Sequence, residues 1–155
     1  MKSAEQQQDH AERINAAATG TWLGANGLRI TRATRDEVSC EVEIRPAHLQ
    51  NYGIVHGGVH AGIVETLASI GAALDTAAEG RGGVVGLENH TSFLRAVRSG
   101  TLRGTARPLA RGRRSAVWEG FIHDESGRLV ASGRVRLLVL DPDAEIAGEP
   151  VPRRG

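Results

Sequence analysis

The sequence predicts an α+β domain in which a strongly curved antiparallel β-sheet wraps around one long central helix. Two observations predict this arrangement: a helical run from Gly58 to Ala78 that is apolar on nearly every side, and six strand-like segments, two before that run and four after it. An apolar helix of this kind is buried, and strands separated by turn residues form an antiparallel sheet. One sheet leaves strand edges uncovered, so we also expect chains to associate through an edge strand.

The composition suits one globular domain. The chain has 155 residues, 40% of them hydrophobic, and 19 basic against 18 acidic side chains give a formal charge of +1. A nearly neutral chain lacks the electrostatic signature of a nucleic-acid-binding protein. The single cysteine, Cys40, can form no internal disulfide and is interpreted as a small core residue. The first ten residues contain no apolar signal segment and no stretch resembles a membrane span, so we expect a cytoplasmic protein with no membrane or nucleic-acid partner.

The elements before the helix are short. Residues 1–20 are polar and alanine-rich and predict an N-terminal arm or short helix, and Trp22 to Thr31 predicts the first strand. Cys40 to Ile44 alternates apolar and charged residues, as a half-buried strand does. Pro46 to Val55 sustains neither period and predicts a loop that leads into the helix.

Four strands are predicted after a turn at residues 79–83: Val84 to Phe93, Gly100 to Pro108, Ser115 to His123 and Arg128 to Leu140. The second has strict period two, with Leu102, Gly104 and Ala106 on one face, which predicts a sheet covered on one side only. Asp124 to Gly127 is a hairpin signal between the last two strands. Residues 141–155 predict a surface tail, which leaves residues 21–140 as the folded domain.

The start of the helix carries the candidate chemistry. Gly57 and Gly58 precede the apolar run, so they mark a helix N-terminus, where free backbone amides and the helix dipole stabilise an oxygen that gains negative charge. Glu65 lies in the third turn, and Gly58, Gly62, Glu65 and Ser69 recur on one face, where small residues leave room beside the carboxylate. The pattern is typical of an active site, although close packing beside a solvated glutamate would produce it too.

Three segments in order carry a family resemblance: Asn51-Tyr-Gly-Ile-Val-His56-Gly57-Gly58, the long helix, and Asn89-His-Thr-Ser-Phe-Leu-Arg95. Together they resemble the hotdog-fold acyl-CoA thioesterases, and among these the 4-hydroxybenzoyl-CoA and phenylacetyl-CoA type. The resemblance covers about residues 22–140. It implies hydrolysis of a small aromatic or medium-chain acyl-CoA by a homo-oligomer, a dimer of dimers, with no metal and no cofactor besides the CoA of the substrate.

The resemblance also assigns roles to residues. It implies that Glu65 either attacks the thioester carbonyl or activates a water, and that the Gly57 amide binds the oxyanion, with the two groups supplied by different subunits. Gln50 matches a position that supplies a side-chain amide near the thioester. Ser69 matches a position whose hydroxyl orients water or the carboxylate.

The remaining candidates are expected to shape the pocket or to bind CoA. The pocket residues are Asn51, His56, Gly58 and Asn89, with His56 interpreted as a hydrogen-bonding loop residue rather than a base. Arg95, Arg113 and Arg114 are the candidates for the CoA phosphates, because guanidinium groups suit phosphate oxygens. This sequence departs from the family's pattern at Arg113 and Arg114, where the family carries small hydroxyl residues.

Two alternatives stay open. A hydratase or dehydratase acting on acyl-CoA or acyl-carrier protein would pair a histidine with an acid, and His56 with Glu65 could be that pair. The chain has no second helix-borne His/Asp motif of the hydratase kind, which argues against it. A non-catalytic acyl-CoA-binding module would keep the fold and lose the carboxylate, whereas Glu65 is present.

Overall fold

The structure is a computed structural model that describes residues 8–151. Its elements, in chain order, are α1 (Ala11–Ala16), α2 (Trp22–Ala25), β1 (Arg29–Ala33), β2 (Val38–Glu43), a 3-10 turn (Pro46–His48), α3 (Gly57–Ala78), β3 (Val84–Phe93), β4 (Thr101–Arg111), β5 (Ser115–His123), β6 (Leu129–Val139), β7 (Glu145–Ile146) and β8 (Glu149–Pro150). The predictions for residues 1–7 and 152–155 lie outside the described residues. The division of the chain into arm, domain and tail stays a prediction.

Six strands form one antiparallel sheet in the order β1-β2-β4-β5-β6-β3. Helix α3 packs against strands β2 to β6, so the sheet curves around the helix. The predicted α+β hotdog architecture is confirmed. Strands β1 and β3 form the two edges, and β3 is the longer of them.

The core lies between α3 and the concave face of the sheet. Ile63, Val64 and Leu67 of the helix are fully buried there, and the predicted inward face of β4 is confirmed by the alternating burial of its residues. Cys40 is also buried, as expected. At the centre, Gly71 lies against the Trp118 indole, which has 0% exposure, and a Cβ on Gly71 would come closer than 3.0 Å to three indole atoms. The sheet and the helix therefore meet at a contact that needs glycine.

The prediction of a first strand from Trp22 to Thr31 is wrong at its start. Trp22–Ala25 is a short helix capped by Thr21, whose hydroxyl accepts a hydrogen bond from the Gly24 amide at 3.3 Å. The strand begins only at Arg29, after Gly27 turns the chain with a φ of +66°. A side-chain cap and a left-handed glycine thus override the apolar pattern of this segment.

The N-terminal segment is tied to the sheet. The Asn15 side-chain amide pairs with both backbone groups of Ile30, at 2.8 and 2.9 Å. Asp9 Oδ1 accepts a hydrogen bond from the Ala33 amide at 2.9 Å. Helix α1 is therefore held against β1.

The far end of α3 carries a buried ion pair. Asp75 is 7% exposed and accepts two hydrogen bonds from the Arg35 guanidinium, at 2.7 and 2.9 Å. Arg111 approaches its other carboxylate oxygen at 3.2 Å. These contacts connect the helix to the β1-β2 turn and to β4.

Helix α3 is long and apolar enough to cross a membrane by length and composition alone, with a mean hydropathy of 1.2 over the best 18-residue window. Ten of its residues are buried in the described fold. The prediction that α3 is buried on nearly every side needs one correction, since a stripe that includes Glu65 and Ser69 faces a cavity and solvent.

Candidate active site

The first turn of α3 has one amide left free. His56 is the N-cap residue, and its Nδ1 atom accepts a hydrogen bond from the Gly58 amide at 2.8 Å. Its carbonyl accepts a bond from the Val59 amide at 2.9 Å. No group among residues 8–151 accepts a hydrogen bond from the Gly57 amide. The helix therefore offers the Gly57 amide as an unsatisfied donor at its positive end.

Phe93, the last residue of β3, lies over this glycine. A Cβ on Gly57 would come closer than 3.0 Å to three atoms of the Phe93 ring. The ring is 57% exposed, and its centroid lies 6.1 Å from that of the buried His60 ring. Burial lowers the pKa of His60, and its Nδ1 atom has no partner among the described residues. Gly57 is thus a position where absence of a side chain allows an aromatic ring to approach the backbone.

Glu65 is exposed, two turns further along the helix. Its Oε2 atom lies 3.4 Å from the Asn89 side-chain nitrogen, which also donates to the Ala61 carbonyl at 2.9 Å. The Asn89 side-chain oxygen, Oδ1, in turn accepts a hydrogen bond from the Thr91 hydroxyl at 2.7 Å. The neighbouring β3 backbone at Gly86 flanks the other carboxylate oxygen. Strand β3 therefore orients the carboxylate through a neutral donor.

A cavity of about 570 Å³ opens beside Glu65, between α3 and the N-terminal segment. Ser69, one turn after Glu65 on the same stripe, lines it. The remaining lining is mostly apolar and comes from α1, α2, the segment between them and α3: Arg13, Ile14, Ala17, Ala18, Thr21, Trp22, Leu23, Gly62, Thr66, Ile70, Ala73, Leu74 and Ala77. The size and the mostly apolar walls are those of a small-molecule site.

Gln50 lies in the loop before α3, and its side chain is fixed in one orientation. The Tyr52 amide donates to Gln50 Oε1 at 2.6 Å, and Gly53 closes the turn with a φ of +70°. With its oxygen occupied, the Gln50 side chain presents its NH₂ group as a donor. Asn51, in the same turn, is exposed.

The three predicted CoA-binding arginines do not converge within one chain. Arg95 follows Phe93 near the start of α3, and its guanidinium donates to the Leu129 carbonyl at 2.8 Å. Arg113 and Arg114 lie in the β4-β5 turn near Thr76 at the far end of the helix. The length of helix between Gly57 and Thr76 separates the two groups by about 28 Å.

Other reactive groups lie outside this site. Burial raises the pKa of the Cys40 thiol to about 12, so this cysteine is a protonated core residue and no nucleophile. Within residues 8–151, no group of three or more His, Cys, Asp or Glu side chains is arranged to hold a metal ion. The expectation that the enzyme uses no metal stays a prediction.

Sequence reasoning missed the N-terminal side of the site. Trp22 and Thr66 line the cavity, and Gly86 flanks Glu65, yet none of the three was a candidate. The Thr21 cap followed by Gly24 was a signal for the short helix that carries Trp22. No local signal predicts that this helix packs against Gly62.

A curved antiparallel sheet wrapped around one long helix is the architecture of the hotdog-fold thioester hydrolases. Residues 52–131 match the family model described as Thioesterase superfamily, so the chain belongs to that superfamily. It is 37% identical to the proofreading thioesterase EntH of Cronobacter turicensis, over 83% of this chain and 93% of the relative. It is 33% identical to the 1,4-dihydroxy-2-naphthoyl-CoA hydrolase of Escherichia coli, with the same two coverages.

A crystal structure of a thioesterase from Haemophilus influenzae superposes with a TM-score of 0.82. The two chains are 28% identical, and the match covers 90% of this chain and 96% of the other. The predicted family, fold and enzyme class are confirmed.

Proposed function

We propose that this enzyme hydrolyses the acyl-CoA thioester of a small aromatic or medium-chain acid to the free acid and CoA, with Glu65 acting at the carbonyl carbon and the Gly57 amide at its oxygen. The observation that carries the proposal is the free Gly57 amide on the same helix as the Asn89-held Glu65. The name of the E. coli relative, a hydrolase of an aromatic acyl-CoA, supports the substrate class. The proposed reaction uses no metal or bound cofactor.

Two routes are compatible with this geometry. In one, Glu65 takes a proton from water while the water oxygen attacks the carbonyl carbon. In the other, a Glu65 oxygen attacks to form a mixed anhydride, which water then cleaves. In both, the tetrahedral oxyanion forms at Gly57 and collapses with loss of the CoA thiolate. Ser69, which lies one turn away on the cavity side, is suited to hold the water.

One chain does not bring the two groups to the same carbonyl. Gly57 and Glu65 are eight residues apart on a continuous helix, which separates them by about 12 Å along its axis. A carbonyl carbon and its oxygen are about 1.2 Å apart. The site therefore needs Gly57 from one chain and Glu65 from a second copy.

Strand β3 is the edge that we propose as the interface. It is ten residues long, it has no partner on its outer side among the described residues, and Leu87, Phe93 and Leu94 at or next to it are 48–57% exposed. A long apolar edge is a template for pairing with another strand. Pairing through β3 would bring Phe93 and Asn89 to the dimer interface, and a dimer of dimers remains our expectation for the full assembly.

The other candidates have supporting places in this scheme. His56 caps α3 and leaves Gly57 as the free donor, while Gly58 and Asn51 complete the loop around it. The Gln50 NH₂ group donates toward the thioester. Across a two-chain site, Arg95 of one chain and Arg113 or Arg114 of the other supply cations for the CoA phosphates. A cytoplasmic location stays part of the proposal.

The first test is thiol release from 4-hydroxybenzoyl-, phenylacetyl- and hexanoyl-CoA. We expect Glu65→Gln to lower kcat at least about 100-fold, because it removes the base or nucleophile and keeps the shape. Glu41→Gln is the control, since Glu41 is a surface carboxylate paired with Arg29 and Arg103. Wild-type kcat in the Glu65 variant would contradict the mechanism, and a folded wild-type protein that hydrolyses no thioester would favour a binding module.

The second test asks whether two chains share a site. Glu65→Gln and Gly57→Pro, which removes the amide hydrogen, are refolded together from a 1:1 mixture. Half of the dimers are then mixed, and each mixed dimer has one intact and one doubly impaired site, so about a quarter of wild-type activity returns. A mixture no more active than its two parents would contradict a site shared between chains.

A further inference from the structure

The cavity beside Glu65 has an aromatic wall on its N-terminal side. Trp22 lies one turn from Glu65 along the helix surface, because its indole rests on Gly62 and Gly62 is three residues before Glu65. The indole is 43% exposed, so its packed edge faces the helix while much of the ring remains open. Among residues 8–151, no group accepts a hydrogen bond from the indole nitrogen.

The contact between Trp22 and Gly62 leaves no room for a side chain. A Cβ on Gly62 would come closer than 3.0 Å to the indole Cζ2 and Cη2 atoms. An alanine would favour the helix by about 1 kcal/mol, so the glycine is explained by the indole rather than by the helix. The ring is thereby seated directly on the helix backbone next to the carboxylate.

The wall is rigid because the helix that carries it is anchored on both sides. Leu23 is 8% exposed and belongs to the core. The Ala25 carbonyl accepts a hydrogen bond from Arg45 at 2.9 Å, and the Asn26 carbonyl lies 3.0 Å from Nε2 of the buried His48. Trp22 is therefore presented to the cavity by backbone that the rest of the fold holds in place.

From this arrangement we propose that Trp22, seated on Gly62, is a specificity-determining residue that selects flat aromatic acyl groups over flexible aliphatic ones. The inference rests on the proposed thioester hydrolysis and names the substrate class of that same site. The open indole offers an aromatic acyl ring an offset-stacked or edge-to-face contact, and no other described residue that lines the cavity is aromatic. An alkyl chain of similar size makes no such contact. The indole N–H can in addition donate to a polar substituent of the acyl ring.

The test compares kcat/KM for 4-hydroxybenzoyl-CoA and hexanoyl-CoA in full-length variants. Both substrates lose apolar contact area in Trp22→Ala, but only the aromatic one loses a ring–ring contact, so we expect its value to fall up to about tenfold more than the aliphatic value. Trp22→Phe keeps a ring and should lose less than Trp22→Ala. Gly62→Ala displaces the indole without removing it and should shift the ratio in the same direction. Leu109→Ala, an exposed apolar residue of β4 outside the cavity, is the control.

The ratio of the two substrates separates this role from a merely structural one. A variant that is only less stable loses activity toward both substrates in parallel, and parallel loss or an unchanged ratio in Trp22→Ala would overturn the inference. The Glu65→Gln control decides the underlying function independently. If Glu65→Gln is inactive while the Trp22 variants keep the wild-type ratio, only the specificity role fails. If Glu65→Gln is fully active, the proposed mechanism itself fails.

Discussion

Replacing Gly57 by proline tests the oxyanion donor with little cost to the fold. Proline has no backbone N–H, and it is favoured at the first position of a helix, which is where Gly57 lies. The residue before a proline must be extended, and His56 already is, with φ −65° and ψ 135°. A proline at Gly57 therefore removes an amide hydrogen without breaking a helical hydrogen bond.

The expected loss follows from the hydrogen bonds of this turn. The Gly58 and Val59 amides are occupied by His56, so neither replaces the missing donor. Removal of one oxyanion donor costs about 3 kcal/mol of barrier, or about 100-fold in kcat. Gly57→Ala is the matched variant, because its Cβ meets the Phe93 ring as proline does while its amide is retained. The Phe93 ring has to shift in both variants, so the comparison between them isolates the amide hydrogen.

The measurement is kcat for thiol release by wild type, Gly57→Ala and Gly57→Pro, together with the affinity of each for free CoA. We expect the alanine variant to keep kcat within about tenfold of wild type and the proline variant to fall about 100-fold below alanine. The affinity for CoA should not change, since free CoA lacks the thioester carbonyl that Gly57 is proposed to bind. Equal kcat values for the two variants would refute the assignment of the Gly57 amide.

Three further predictions concern stability, each measured by urea unfolding at fixed protein concentration. Gly71→Ala gains about 1 kcal/mol of helix propensity, but its methyl group overpacks Trp118, which costs up to about 3 kcal/mol. We expect a net loss of about 1–2 kcal/mol in the free energy of unfolding, and a stabilised variant would contradict the contact. Asp75→Asn removes the carboxylate that accepts two hydrogen bonds from Arg35, which keeps only Glu79 at 3.6 Å among the described residues, and should cost about 2 kcal/mol; a change below about 0.5 kcal/mol would mean that the pair is solvated. Burial lowers the pKa of His60, so the unfolded chain binds more protons than the folded chain near pH 6. Acidification from about pH 7 to 5 should therefore destabilise the wild type more than His60→Leu. An identical pH dependence of the two would show that the pKa of His60 does not change on folding.

Most elements with local signals were predictable to within a residue or two, whereas β4 extends three residues beyond the predicted Pro108, to Arg111. Strands β3 and β5 have the predicted bounds, because alternation and the flanking turns at Gly83 and Asp124 are visible in the sequence itself. The start of α3 lies one residue before the predicted Gly58, and it was marked by its glycine pair. These features depend on residues that are neighbours along the chain.

The cavity was not predictable, because it depends on contacts between distant segments. Trp22 and Gly62 are forty residues apart, and nothing in either neighbourhood indicates the other. A four-residue helix is also too short to show a helical period, so its apolar residues looked like a strand. The roles of the glycines were not predictable for the same reason, because they depend on contacts with distant segments. Gly57, Gly62 and Gly71 fall on one helix, but only the structure shows that each receives an aromatic ring from a different element.

Asn89 connects the chemistry to the proposed assembly. Its amide donates to the Ala61 carbonyl and approaches Glu65, and it belongs to β3, whose outer edge is the proposed interface. A neutral amide orients the carboxylate without pairing its charge, and no cation among residues 8–151 forms an ion pair with Glu65. The negative charge thus stays available for attack or proton transfer. In the proposed dimer, β3 pairs with a second copy and also positions Glu65 through Asn89. One strand would therefore fix both the dimer and the carboxylate, which would hold a site divided between two chains in a single geometry.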